Sequence, residues 1–104
     1  MKQVIGALTL VVPDYDEAIA FYRDKLGFDL IEDTKLSNVK RWVLVAPKGS
    51  SETRLLLARA NNAEQRAAIG NQTGGRVFLF LHTDDFDRDH AAMTAAGVTF
   101  LEAP

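Results

Sequence analysis

Ala7-Leu8-Thr9-Leu10-Val11-Val12-Pro13-Asp14-Tyr15-Asp16 and Phe78-Leu79-Phe80-Leu81-His82-Thr83-Asp84-Asp85-Phe86-Asp87 decide the fold, because the second overlays the first. With residue 78 placed on residue 7, Leu8 meets Leu79, Leu10 meets Leu81, and Asp14 meets Asp85. An aromatic follows each aspartate. After a one-residue slip, Gly27-Phe28 meets Gly97-Val98. Each copy reads as a strand, an aspartate-started helix, a glycine and another strand, which marks a repeated supersecondary unit.

Local chemistry supports both copies. Asp14 suits an N-cap, and Glu17 three residues on completes a capping box. Tyr15, Ala18, Ile19, Tyr22 and Leu26 recur at helical spacing and predict one amphipathic helix. Gly27 supplies the left-handed residue that ends it. In the second copy Asp85 caps, Phe86, His90 and Met93 continue the stripe, and Gly97 stops it. Asp87 in the first turn suits the positive end of the helix dipole.

Three further strands are expected between the copies, over Phe28–Glu32, Lys40–Ala46 and Thr53–Arg59. Pro47-Lys48-Gly49-Ser50 is a strong turn between the last two. The result is an α+β chain of paired βαβββ modules. Residues 1–60 form the first module, the polar, glycine-rich stretch 61–75 is a linker, and residues 76–104 start the second. A short helix over Ala63–Ile69, capped by Asn62 and stopped by Gly70, is expected within the linker. Matched to the first copy, the second needs two more strands after Leu101, about 25–30 residues. On this reading the second module is incomplete, and further sequence or a partner completes the sheet.

Composition narrows the function. With 104 residues the chain is one domain's worth. A net charge of −2 argues against holding nucleic acid by counterion release. The absence of cysteine removes disulfides, thiolate nucleophiles and iron–sulfur clusters, and fits a reducing compartment. No apolar run reaches the ~20 residues of a membrane span. The run Val4–Val12 after Lys2 has no small-residue cleavage site behind it, so a cytoplasmic location is expected rather than secretion.

The segments Leu8-Thr9-Leu10-Val11-Val12-Pro13-Asp14 and Ala18-Ile19-Ala20-Phe21-Tyr22-Arg23-Asp24-Lys25-Leu26-Gly27-Phe28 closely resemble the opening signature of the vicinal oxygen chelate superfamily. That group includes glyoxalase I, extradiol dioxygenases and the fosfomycin- and bleomycin-resistance proteins. Arg41-Trp42-Val43-Leu44-Val45-Ala46-Pro47, Thr83-Asp84-Asp85-Phe86-Asp87 and Ala95-Ala96-Gly97-Val98 extend the likeness. The resemblance implies a glyoxalase-like fold whose paired half-sheets form an open cup. In the family's enzymes a divalent metal in that cup acts as a Lewis acid on two vicinal substrate oxygens. The corresponding ligand positions fall on Ala7, on or near Arg54, on Phe78, and beyond Pro104. Alanine, arginine and phenylalanine offer no suitable donors, so no metal is expected at this position.

Strand alternation predicts which residues line the cup. Ala7, Thr9, Val11, Phe78, Phe80 and His82 are expected to face it, joined by Arg54, with Trp42 on either face. Leu8, Leu10 and Val12 pack under the first helix, and Leu79 and Leu81 under the second. His82 is the candidate for acid–base work, its ordinary pKa being about 6.5. Arg41 and Arg54 are candidates for holding a carboxylate or phosphate, or else are surface arginines. His90 is read as a packed helix residue. Asp84–Asp87 lacks the glycine and distant glutamate of a calcium loop and is read as capping. Gly70–Arg76 lacks the hydroxyl residue and following helix of a phosphate loop.

The first expectation is a binding protein for a small, aromatic or anionic molecule, with no metal cofactor. A lyase or dioxygenase of the same superfamily, with a divalent metal held by unrecognised ligands or by ligands from a missing C-terminal segment, is the alternative. A structural half-fold completed by a partner is the third. The apolar row Ala7, Thr9, Val11, Phe78 and Phe80, with an unpaired strand edge, predicts a homodimer.

Overall fold

Alternation of side chains produces four strands, β1 (Ala7–Val12), β2 (Asp29–Lys35), β3 (Arg41–Ala46) and β4 (Arg54–Arg59). The computed structural model describes residues 1–101; Glu102–Pro104, the end of the expected second module, lie outside the described residues. The strands form one sheet in the order β1-β4-β3-β2. β1 and β4 run parallel, and the other neighbours are antiparallel. A parallel pair requires a long crossover; here it contains the first helix and the β2–β3 hairpin.

One sheet face builds the core. Leu10, Val12, Val43, Val45, Leu55 and Leu57 are buried there beneath Tyr15, Ala18 and Ile19 of the helix. Leu57, Val43 and Val45 have no appreciable solvent contact, which places the centre of packing on β3 and β4. Arg41 lies on this same face and is already occupied. Its guanidinium donates to both Asp33 oxygens, Nε at 3.0 Å and Nη2 at 2.7 Å, and to Asp16 at 2.9 Å. It also sits 5.2 Å from the centre of the Tyr15 ring. These contacts tie the β2–β3 hairpin to the helix start, so Arg41 is a structural clamp rather than an anion binder.

The first helix departs from expectation. α1 (Tyr15–Ile19) begins as foreseen, with the Asp14 carboxylate accepting the Glu17 N–H at 2.9 Å. Only this aspartate half of the expected capping box forms among the described residues. From Ala20 to Lys25 the backbone widens into a π-helix instead of continuing as α-helix. Leu26 N–H donates to the Phe21 carbonyl at 3.0 Å, and Phe28 N–H to the Tyr22 carbonyl at 2.9 Å. The cause lies at the exit. Gly27 takes a positive φ of 78°, and Phe28 must turn at once into the core, against the Tyr22 ring at 5.6 Å. Widening the last turns lets that reversal keep its hydrogen bonds.

After β4, α2 (Ala63–Ala68) follows the predicted cap. Asn62 accepts the Gln65 N–H at 2.8 Å, and the Gln65 side chain accepts the Asn61 N–H at 2.8 Å. Gln72 then reaches back to the outer edge of β1. Its amide nitrogen donates to the Val11 carbonyl at 2.7 Å, and its oxygen accepts the Val11 N–H at 3.3 Å. One side chain therefore stands in for a neighbouring strand at that residue.

The second copy keeps its helix and loses its strand. α3 (Phe86–Ala95) is capped by Asp85, which accepts the Arg88 N–H at 3.1 Å. Gly97, with φ of 96°, closes it. Residues 78–82, expected as a strand facing the cup, are not one. Extended backbone becomes a strand only when another backbone completes its ladder, and no neighbour among the described residues pairs with this stretch. Leu79 and Leu81 consequently remain exposed instead of packing under α3. His90 behaves as a packed residue, its ring 5.5 Å from Phe86 and 4.5 Å from Phe100.

Candidate functional site

The register fixes what lies on the open face of the sheet, opposite the helix. Ala7 stands beside Arg54, Thr9 beside Leu56, and Val11 beside Ala58 across β1 and β4. Leu44 continues the Thr9–Leu56 row onto β3, and Trp42 pairs with Thr34 of β2. Buried Val43 and Val45 point to the core, so Trp42 and Leu44 point away from it. This settles the face of Trp42. The sole tryptophan is 40% exposed there. Beside it a cavity of about 580 Å³ runs between β3, β4 and α2, lined in part by Trp42, Leu56, Ala58 and Arg66.

Arg54 gives the β1–β4 half of this face its charge, and Glu32 stands beside Leu44 at the β2 side. Its Nε lies buried without a hydrogen-bond partner among the described residues. A buried arginine donor ordinarily finds an acceptor, because leaving it unmade costs about 1–3 kcal/mol. The surrounding side chains of Ala7 and Leu55–Leu56 have no acceptor to give.

Three residues expected on this face lie elsewhere. Phe78 packs half-buried against the core cluster, beside the helix, and Phe80 is 77% exposed. His82 lines a separate cavity of about 750 Å³ with Lys48, Thr83, Asp84 and Arg88. All three expectations rest on strand parity, and parity carries no information once the strand is not formed. The structure thus places Ala7, Thr9, Val11, Trp42 and Arg54 on one sheet face, with Trp42 beside the Ala58 end of β4 and Arg54 at its other end, and leaves His82 with neither metal ligands nor Arg54 beside it. Sequence reasoning missed Gln72, whose partner lies far away in the chain, and the half-buried Leu44 and Leu56. Alternation through β3 and β4 was the signal for both leucines.

The donor chemistry can be compared with the metal position that the resemblance implies. Ala7 and Arg54 do sit side by side there. A methyl group and a guanidinium provide no lone pair for a cation, and Phe78 lies on the helix side. Among the described residues no group of three His, Asp or Glu side chains converges to hold a metal ion. The residues present do not fit that group. Among those residues, too, no helix is long and apolar enough to cross a membrane.

Comparisons with known proteins agree with this architecture. An uncharacterized protein of Shewanella frigidimarina (strain NCIMB 400) is 59% identical over the whole chain, which covers 78% of that protein. YetH of Bacillus subtilis (strain 168), also uncharacterized, is 31% identical over the whole chain and 81% of its own length. Among solved structures, UcmS2 superposes with a TM-score of 0.81 at 27% identity, over all of this chain and 82% of that one. TnmS3, an antibiotic binding protein from Streptomyces sp. CB03234, gives 0.72 at 33% identity, over 94% of this chain and 74% of its own. Residues 4–104 match the profile of the Glyoxalase/Bleomycin resistance protein/Dioxygenase superfamily, and with its βαβββ sheet and glyoxalase-like fold the chain belongs to that superfamily.

Proposed function

We propose that this protein binds a flat, anionic aromatic molecule on the open sheet face, without metal chemistry at the family's metal position. The observation that carries the reading is the buried, unpartnered Nε of Arg54, flanked on the open face by the apolar Ala7 and Leu56. A carboxylate or phenolate arriving there gains a charge-assisted hydrogen bond that the protein itself does not make. Trp42 offers the ligand an exposed aromatic surface, and Leu44 and Leu56 a hydrophobic floor. TnmS3, an antibiotic binding protein, shares the fold, which supports small-molecule binding as a use of this fold. Thr9 and Val11 extend the surface toward the β1 edge, where a second copy would close the cup as a homodimer. In this reading residues 1–60 are the complete module, 61–75 the linker and 76–104 the start of a second, and the protein works in the cytoplasm.

Calorimetric titration with 9-anthroate and its uncharged amide tests the reading. One-to-one binding that prefers the acid and is lost in Arg54→Met and Trp42→Ala is expected. Binding indifferent to both substitutions overturns it. Elemental analysis after supplying nickel, zinc, iron and manganese in turn should find no stoichiometric ion; one ion per chain favours the lyase or dioxygenase. Light scattering at tens of micromolar should give a dimer, and a monodisperse 11.5 kDa species refutes that part.

A further inference from the structure

A further cavity lies away from the centre of the open sheet face. About 860 Å³ separates the first helix from the loop of residues 69–76, within the range of sites that enclose a small molecule. Its apolar walls include Phe21 and Tyr22 of the π-helix, with Ile69 and Phe78 opposite. Lys25 and Arg76 stand on its lining.

Three features make this more than a gap. First, the π-helix changes what the helix shows. The core-facing stripe uses Tyr22, whereas Phe21 has no place in that stripe, and it lines the cavity 41% exposed. The Phe21 and Tyr22 rings meet edge to face at 5.3 Å, so the exposed ring is braced by a half-buried one. A π-helical segment in a short helix costs regular hydrogen bonding, and such segments concentrate at functional sites.

Second, the opposite wall is fixed in place. Gln72 anchors it to both polar groups of the Val11 backbone. At its end, Gly74 and Gly75 take positive φ values of 71° and 111°. The Thr73 hydroxyl closes this turn by accepting the Arg76 N–H at 3.0 Å and donating to the Arg76 carbonyl. The turn therefore sets the position of Arg76 on the cavity lip.

Third, the charges are not spent internally. Neither Lys25 nor Arg76 enters any ion pair among the described residues. Glu17 is the one carboxylate on the lining, so two cations face one anion. The balance left over is a single positive charge.

We infer that this cavity is a second ligand site, which takes a flat aromatic monoanion with its ring against Phe21 and its charge toward Lys25 and Arg76. The site is distinct from the open sheet face: it lies along the outer edge of β1, where Val11 borders both, and uses none of Trp42, Arg54 or Leu56. Burial also pushes the Tyr22 hydroxyl above its ordinary pKa, so that wall stays neutral toward an anion.

Two-dimensional amide NMR of the whole chain, titrated with 2-naphthoate and separately with neutral 2-naphthamide, tests the assignment. Saturable shifts are expected in residues 17–26 and 69–76, with the acid binding about tenfold tighter than the amide. Arg76→Gln and Lys25→Gln should each weaken 2-naphthoate several-fold, and Phe21→Ala should weaken acid and amide alike. All three residues are exposed, and the dispersion of the same spectra reports that each variant is folded. Absence of saturable shifts in those two segments overturns the proposal. So does equal affinity for acid and amide, or binding indifferent to Phe21→Ala.

Discussion

Replacing Arg54 by methionine should stabilise the protein while removing its function. Methionine has nearly the length of the arginine stem and no donor to leave unpaired. The structure buries Nε of Arg54 without an acceptor, and an unmade buried hydrogen bond costs about 1–3 kcal/mol. The residue as a whole is only half-buried, and its terminal nitrogens keep some contact with water, so the lower end applies, about 1 kcal/mol. Urea unfolding of a small domain has a slope of about 1–1.5 kcal/mol per molar. The midpoint for Arg54→Met should therefore rise by about 0.7–1 M urea, with the slope unchanged. Arg54→Lys serves as the control, since it keeps the charge but cannot place a donor at the Nε position, and it should bind acids weakly. Such an exchange of stability for function is expected where a binding group is held in readiness. An Arg54→Met midpoint below that of the parent protein would show that Arg54 is satisfied in solution, and the reasoning would fail.

Leu57→Ala opens a cavity where β4 is wholly buried, and should cost about 2–5 kcal/mol by urea unfolding. Gln72→Leu removes both hydrogen bonds to Val11 and exposes a strand edge; stability should fall by about 1–2 kcal/mol, and self-association, followed by light scattering, should rise. The Arg41 guanidinium holds the Asp33 carboxyl below its ordinary value. A depressed folded pKa stabilises fully above the unfolded value of about 3.9 and is lost as pH falls through the folded one. Asp33→Asn should therefore lose stability at pH 7 and show a shallower decline below about pH 4, measured by thermal melts across pH.

How much of this was legible in the sequence depends on how local each feature is. Alternation in Leu8–Val12 and Arg41–Ala46, together with the Asp14 cap, specified the first module, and the Asn62 cap the short linker helix, because each signal acts within a few residues. The π-helix was not legible: its trigger is the tertiary demand that Phe28 turn directly into the core, and Tyr15-to-Leu26 spacing looks the same for either helix. The cup assignment divided along the same line. Ala7, Thr9, Val11 and Arg54 follow from a ladder that forms within the first module, whereas Phe78, Phe80 and His82 needed a ladder partner that the described residues do not supply. Trp42 became assignable only once the β3–β4 register placed Val43 opposite Leu57.

The Arg54 side-chain Nε–H resonance reports the central claim most directly. In the ligand-free protein it should appear as a solvent-protected signal at the upfield position of a donor without an acceptor. At saturation with 9-anthroate it should move downfield, in step with the Trp42 indole N–H and with the same dissociation constant. An Nε–H that is already downfield without ligand, or that stays fixed while the acid saturates the protein, would contradict the assignment of Arg54 as the anion-binding group.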